Sequence, residues 1–350
     1  MQKDSIFDFA IIQKPLLAWY KKEKRDLPWR ENPTPYRVWV SEIMLQQTRV
    51  EAVKEYYLRF MKELPTVQAL AECEEEKLLK LWEGLGYYSR ARNLQKAAKQ
   101  IVAFYGGEFP SNPLQLKALP GIGSYTAGAI ASIAFGQKVA AVDGNVFRVA
   151  SRLAENPTPI SDPKYRQYLE KALSDIYPET PKDCSDFTQS LFELGALVCK
   201  PQNPDCALCP LQGLCLAYKN GRQTSYPVLP PKKEKRRERV YVFLLQTPQG
   251  FCVRRRENGV LRGMNEFPSQ VYEEGESAAA VLSEWGISAF AEKKRKRFTH
   301  IFTHIHWEIT CIWVETESAP FDTYTLDEIK ESISLPTAFK QCLEILGEEK

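Results

Sequence analysis

The 350-residue chain reads as two folds in series, an all-helical part to about residue 220 and an α+β part from about residue 240. Three observations predict this. Apolar residues recur at helical spacing through the first part, as at Leu78, Leu79 and Trp82, or Phe187, Leu191, Leu194 and Val198. From Val240 the apolar period becomes two. Between them, residues 221–239 hold Pro227, Pro230, Pro231 and a run of charges, the profile of an extended linker.

Taken in order, breaks at Pro28, Pro33–Pro35, Pro65, Gly106–Gly107, Pro110–Pro113 and Pro157–Pro159 cut the first part into helices of ordinary length. The helix after Pro35 sets Val38, Glu42 and Gln46 on one face. Leu119-Pro120-Gly121-Ile122-Gly123 joins two helical stretches, the second running from Ser124 to Phe135. Gly121 and Gly123 allow positive φ, so this turn can offer bare N–H groups to a phosphate, or it can be a plain connector. Ala141-Val142-Asp143-Gly144-Asn145-Val146 follows; taken singly, Asp143 reads as a helix cap, Asn145 as a turn residue and Glu42 as an exposed helix carboxylate.

Cys199, Cys206, Cys209 and Cys215 then fall within seventeen residues, spaced C-x6-C-x2-C-x5-C. Structural zinc sites usually bring two close pairs of ligands, whereas one close pair here is flanked by longer reaches. The spacing reads as one [4Fe–4S] cluster, with zinc and paired disulfides as the competing readings. Beyond the linker, Val240–Gln246, a Pro248-Gln249-Gly250 turn and Phe251–Arg255 predict a hairpin. A strand-rich stretch follows at Arg297–Glu315, with helical patterns at Ser277–Trp285 and Thr337–Leu346. His300, His304 and His306 read as alternating strand positions, with a metal site as the lesser alternative.

The net charge of +3 excludes little, but the cations cluster at Lys232–Arg239, Arg254–Arg256 and Lys293–Arg297, as solvated linker and loop surface or as polyanion contacts. No leader pattern and no apolar run of membrane-spanning length is visible, so a soluble protein of a reducing compartment is expected. The other five cysteines read as buried or free thiols.

The sequence of Leu-Pro-Gly-Ile-Gly, Val-Asp-Gly-Asn-Val and the four-cysteine loop resembles the helix-hairpin-helix DNA glycosylases, and more specifically the adenine glycosylases of the MutY family. Pro28-Trp29-Arg30, the run Trp39–Val50 around Glu42, and Gly84–Leu94 carry the same resemblance. It implies a helix-hairpin-helix catalytic domain over 1–220 with its cluster loop at 199–215, a basic linker at 221–239 and a Nudix-like lesion-recognition domain over 240–350. It implies an enzyme that flips out and hydrolyses adenine mispaired with 8-oxoguanine or guanine. Glu42 is then the acid that protonates the purine and later activates water, and Asp143 stabilises the sugar cation, close enough for a transient adduct. Asn145 orients Asp143, and Tyr125 hydrogen-bonds in the same pocket.

The lyase-type relatives, similar to endonuclease III, have lysine where this chain has Tyr125; a phenol forms no Schiff base, so no strong strand cutting is expected. Gln47 and Tyr87 match the wedge residues. Trp29, Arg30, Thr48, Leu85, Gly86 and Gln189 match contacts to the adenine or the opposite base. The family's lesion-reading Phe-Ser-His is here Phe302-Thr303-His304. The helix near Ala278 has only Glu284 where a working Nudix hydrolase needs several glutamates for magnesium, which favours recognition over hydrolysis. The partner implied is duplex DNA with adenine opposite 8-oxoguanine, bound by a cytoplasmic monomer on the bacterial nucleoid.

Overall fold

The computed structural model describes residues 7–231 and 234–347. The chain packs as two compact units, one made of residues up to Glu72 with Arg92–Pro231, the other of Cys73–Ala91 with the chain beyond Pro231. Helices run in order as α1 (Gln13–Glu23), α2 (Pro28–Glu31), α3 (Pro35–Leu45), α4 (Val50–Glu63), α5 (Val67–Glu72), α6 (Glu75–Leu81) and α7 (Ser89–Tyr105). Then come α8 (Pro113–Ala118), α9 (Ser124–Ala129), α10 (Gly144–Ala154), α11 (Pro163–Ser174), α12 (Pro181–Leu197) and α13 (Leu216–Lys219). Pro28, Pro35, Pro113, Pro163 and Pro181 each open a helix, where their missing N–H costs no hydrogen bond.

In the first unit α12 packs on α1 and α10, and Leu16, Val146, Phe147, Leu169, Phe187 and Leu194 form its core. Cys199, Cys209 and Cys215 pack against the same core, so the cysteine loop is seated on the fold. The stretch expected as one helix to Phe135 is α-helical only to Ala129 and continues as a π-helical turn, Ile130–Ala134. Ser132 donates its hydroxyl to the Gly128 carbonyl at 2.7 Å inside that turn. In the hairpin ahead of α9 only Gly121 needs a positive φ, +76°, and a Cβ there would stand 2.8 Å from that of Asn93. Gly123 is ordinary extended backbone with open space beside it, so the freedom expected of both glycines is used by one.

The second unit is built on strands β1 (Arg236–Thr247), β2 (Gly250–Arg255), β3 (Asn265–Glu266), β4 (Ser269–Tyr272), β5 (Ala291–Ile301), β6 (Ile305–Glu315) and β7 (Asp322–Tyr324). Their order is β3-β2-β1-β6-β5, with β4 on β1 and β7 on β2. Alternation does the sorting. Val240, Val242 and Leu244 meet Trp307, Ile309 and Phe339 on one face, while Tyr241, Phe243 and Leu245 meet Val281 and Leu282 of α14 (Ala278–Glu284) on the other. α15 (Leu326–Glu331) and α16 (Thr337–Lys340) complete the unit. The β1–β2 hairpin forms as expected, pairing Gln246 with Phe251.

Several expectations need correction. β1 begins at Arg236 because its backbone already pairs with Ile305 there, so Arg236, Arg237 and Arg239 are strand residues and not linker. Lys232 and Lys233 lie outside the described residues. The basic run Lys293–Arg297 lies on β5 and Arg254–Arg255 on β2, not on loops. Arg297–Glu315 is a hairpin whose first strand starts earlier, at Ala291, and His304 sits in its turn, off the strand pattern. The last expected helix turns 3-10 after Lys340. Residues 73–91 pack with the later chain: Lys80 Nζ donates to the Lys330 carbonyl at 2.7 Å, and the Leu335 N–H to Glu83 Oε1 at 2.9 Å. Among the described residues no helix is long and apolar enough to cross a membrane.

Candidate active site

Glu42 lies two turns into α3, where Tyr36 and Val38–Met44 are buried, and it is itself 5% exposed. It is no surface carboxylate. The helix ends at Leu45, so the face shared with Gln46 holds only for Val38 and Glu42; Gln46 reaches the same cavity from the following turn. Tyr125, from the first turn of α9, donates its hydroxyl to Glu42 Oε2. Asp143 is the N-cap of α10: Oδ1 accepts from the Val146 N–H at 2.7 Å, and Oδ2 from Asn145 Nδ2 at 2.8 Å. Asp143 is therefore a cap, as its position alone suggests, and Asn145 holds it in place.

One cavity of about 590 Å³ takes in Glu42, Tyr125, Asp143 and Asn145, with Trp29, Arg30, Gln47, Thr48 and Gln189 also on its wall. That volume suits a small ligand. Burial pushes the Glu42 carboxyl up to about 7, the Asp143 charge adding to it against the Tyr125 hydrogen bond and Arg30. Burial also raises Asp143 above the usual aspartate range, opposed by its hydrogen bonds from Val146 and Asn145. Burial, with the two neighbouring carboxylates, holds the Tyr125 phenol well above its ordinary value, so it stays neutral. A carboxyl poised near neutrality beside a capped, hydrogen-bonded one gives two carboxyls in different environments. That pair can protonate a leaving group and steady a cation on its other side.

Gln47 and Tyr87 are exposed and both take left-handed backbone, φ +58° and +48°, as Gly86 does at +69°. Non-glycine residues rarely adopt that region, and such strain clusters at functional sites. Within the second unit Leu85 is buried, and Tyr87 Oη lies 3.0 Å from Thr303 Oγ1 at the tip of the β5–β6 hairpin. The Phe302 ring packs on Trp307, and the His304 carbonyl accepts from the Arg236 N–H at 3.0 Å, which pins the tip on both sides of Thr303. Gly121 and Gly123 stay in their hairpin, off the cavity wall.

The cysteine loop is tied to α10 by two arginines. Arg148 donates to the Cys199 carbonyl at 2.7 Å and to Asn145 Oδ1 at 2.7 Å. Arg152, fully buried, donates to the carbonyls of Lys200, Pro201 and Tyr226 and comes within 3.3 Å of Cys199 Sγ. Four free thiols on one seated loop, with a guanidinium beside one sulfur, fit a cluster whose thiolates carry negative charge. Among the described residues no group of three or more His, Cys, Asp or Glu side chains stands close enough to hold a single metal ion.

Sequence reasoning missed Arg25, Arg148, Arg152 and Glu193. Glu193 stands one helical turn after Gln189 on α12, so the helical repeat places the two on one face. Arg148 and Arg152 act through backbone carbonyls distant in sequence, and Arg25 through a carboxylate 168 positions away, so no such signal exists for them.

Residues 40–175 match the HhH-GPD superfamily base excision DNA repair proteins, 199–215 the iron-sulfur binding domain of endonuclease III and 240–345 the NUDIX domain. The adenine DNA glycosylase of Mus musculus is 36% identical, the match covering 91% of this chain and 73% of the mouse protein. That of Buchnera aphidicola subsp. Baizongia pistaciae is 34% identical over 87% of this chain and 86% of its own. Among solved structures, a thermostable thymine-DNA glycosylase is 29% identical with a TM-score of 0.54, covering 60% of this chain and 96% of its own. A non-covalent endonuclease III–DNA complex is 28% identical with a TM-score of 0.51 over the same shares.

Proposed function

The chain belongs to the adenine DNA glycosylases, and from that premise we propose that it extrudes adenine standing opposite 8-oxoguanine and hydrolyses its bond to deoxyribose without cutting the strand. Removal of adenine in base excision repair, DNA binding and a [4Fe–4S] cluster come with the family. The observation that carries the reading is the pairing of Glu42, pushed up to about 7, with Asp143 in one cavity.

Glu42 gives its proton to a ring nitrogen of the base as the bond to C1′ breaks, and the bonding electron pair leaves with adenine. The cation left on the sugar faces Asp143, held in place by Val146 and Asn145. Glu42, now a carboxylate, takes a proton from the water that adds to C1′ and returns to its starting state. Tyr125 orients Glu42 throughout and, as a neutral phenol, offers no amine for strand cutting.

Gln47 and Tyr87, preset in strained backbone, fill the space the base leaves, and Leu85 and Gly86 shape that turn. Trp29, Arg30, Thr48 and Gln189 contact the bases, and the hairpin of Gly121 and Gly123 holds phosphate. Phe302, Thr303 and His304 read the oxidised guanine. Cys199, Cys206, Cys209 and Cys215 would hold the cluster, which when bound supplies charge and rigidity to the loop and no step of base release. The enzyme works as a monomer.

Incubation with a duplex carrying adenine opposite 8-oxoguanine, followed by hot alkali, tests the reading. Breaks that need alkali support it. Breaks before alkali point to a lyase, and intact strands throughout overturn it.

A further inference from the structure

Two arginines converge on one buried carboxylate in the wall of the cavity. Arg25 donates to Glu193 from its backbone N–H at 3.0 Å, from Nε at 2.9 Å and from Nη2 at 2.8 Å. Arg30 donates from Nη1 at 3.0 Å and Nη2 at 3.2 Å, and its Nη1 also reaches the Arg25 carbonyl at 2.9 Å. A carboxylate offers about four lone-pair directions, so these five N–H groups saturate Glu193 and leave it nothing for a substrate. Any role it has in the reaction runs through the arginines, each of which keeps N–H groups to spare.

We propose that Glu193 is a positioning residue, clamping Arg25 and Arg30 as a rigid pair of donors toward the extruded base and setting the charge that Glu42 faces. The inference rests on the reading of Glu42 as the acid. Long arginine side chains left free would sample many rotamers, and a preset pair avoids that cost when the base arrives. The charge argument follows from the same geometry. Around the cavity stand Arg30 from α2, Arg25 before it, Tyr125 from α9, Asp143 ahead of α10, Arg166 from α11 and Glu193 from α12. Burial pushes Glu193 up, but the hydrogen bonds and charges of Arg25 and Arg30 outweigh it and hold it near 2, so it stays an anion. Its charge offsets that of the clamped pair, of which Arg30 draws on the proton of Glu42.

The test is the pH dependence of single-turnover cleavage of the adenine–8-oxoguanine duplex, with folding followed by the cluster's visible absorbance. In Glu193→Gln an uncompensated cation pair remains, so the alkaline limb moves down by about one pH unit and the rate at pH 8 falls by up to about tenfold. In Arg25→Met one cation is lost while Glu193 stays, so the limb moves up instead. Opposite displacements are what a merely structural residue does not produce. If Glu193→Gln does not fold, the direction seen in Arg25→Met alone decides. A limb that stays put in every variant that folds overturns the inference. A wild-type profile with no alkaline limb instead sinks the assignment of Glu42.

Discussion

At the scale of single residues, the proposed division of one reaction between Glu42 and Asp143 rests on their different surroundings. On the proposed mechanism activity needs Glu42 protonated and Asp143 ionised, so cleavage should rise as Asp143 loses its proton and fall as the pH climbs through about 7. A pH–rate profile from single turnovers checks both limbs. Glu42→Gln and Asp143→Asn should each abolish base release while mismatch affinity stays within about tenfold, because binding rests on phosphates and wedges elsewhere. Retained turnover in either variant would remove that residue from its role. The same burial predicts a stability effect. The folded carboxyl of Glu42 holds its proton more tightly than the ordinary 4.5, so folding is most favoured below 4.5 and loses that share as pH rises through about 7. Glu42→Gln should therefore be more stable than the wild type at pH 8, by up to about 3 kcal/mol, and show little gain at pH 4. Denaturant melts at the two pH values measure the difference.

Elements decide where these residues point. α10 caps itself with Asp143 at one end and sends Arg148 and Arg152 into the cysteine loop one turn apart. Arg152→Met would strand the carbonyls of Lys200, Pro201 and Tyr226, at a cost of about 3 kcal/mol or more. The expected outcome is faster loss of visible cluster absorbance on mild heating, with secondary structure kept by circular dichroism. The β5–β6 hairpin does the corresponding work in the second unit by holding Thr303 at its tip. Thr303→Ala/His304→Ala should weaken the binding preference for 8-oxoguanine over guanine opposite adenine by roughly ten- to a hundredfold, about 1–3 kcal/mol. Cleavage of a saturated adenine–guanine mismatch should change little. Thr303→Ser should be near neutral, since the hydroxyl is retained.

For the whole molecule, the informative fact is that the second unit recruits residues 73–91 from far upstream. Leu79, Lys80 and Glu83 hold Ser334, Lys330, Ile333 and Leu335, so the turn presenting Tyr87 is braced by chain some 250 positions away. A chain ending at Pro231 loses those bonds. Limited trypsin digestion should then cut near Lys77 and Lys80 several times faster than in the full chain, and equal rates would show that residues 73–91 are held by other means.

Read alone, the amino-acid order determines which parts are helical and which are strand, because apolar period follows from the repeat of each element. It also supplies the four cysteines within one short loop, and Glu42, Asp143, Gln47 and Tyr87 within local motifs. It does not contain the burial of Glu42, whose acidity depends on Tyr125 and Asp143, 83 and about a hundred positions later. Nor does it show the Arg25–Glu193 clamp across 168 positions, the left-handed backbone at Gln47 and Tyr87, or the strand that claims Arg236 from the expected linker. The acidity of Glu42, the clamp and the strand pairing are set by desolvation and by hydrogen bonds between groups remote along the chain, and only packing brings such groups within reach of one another.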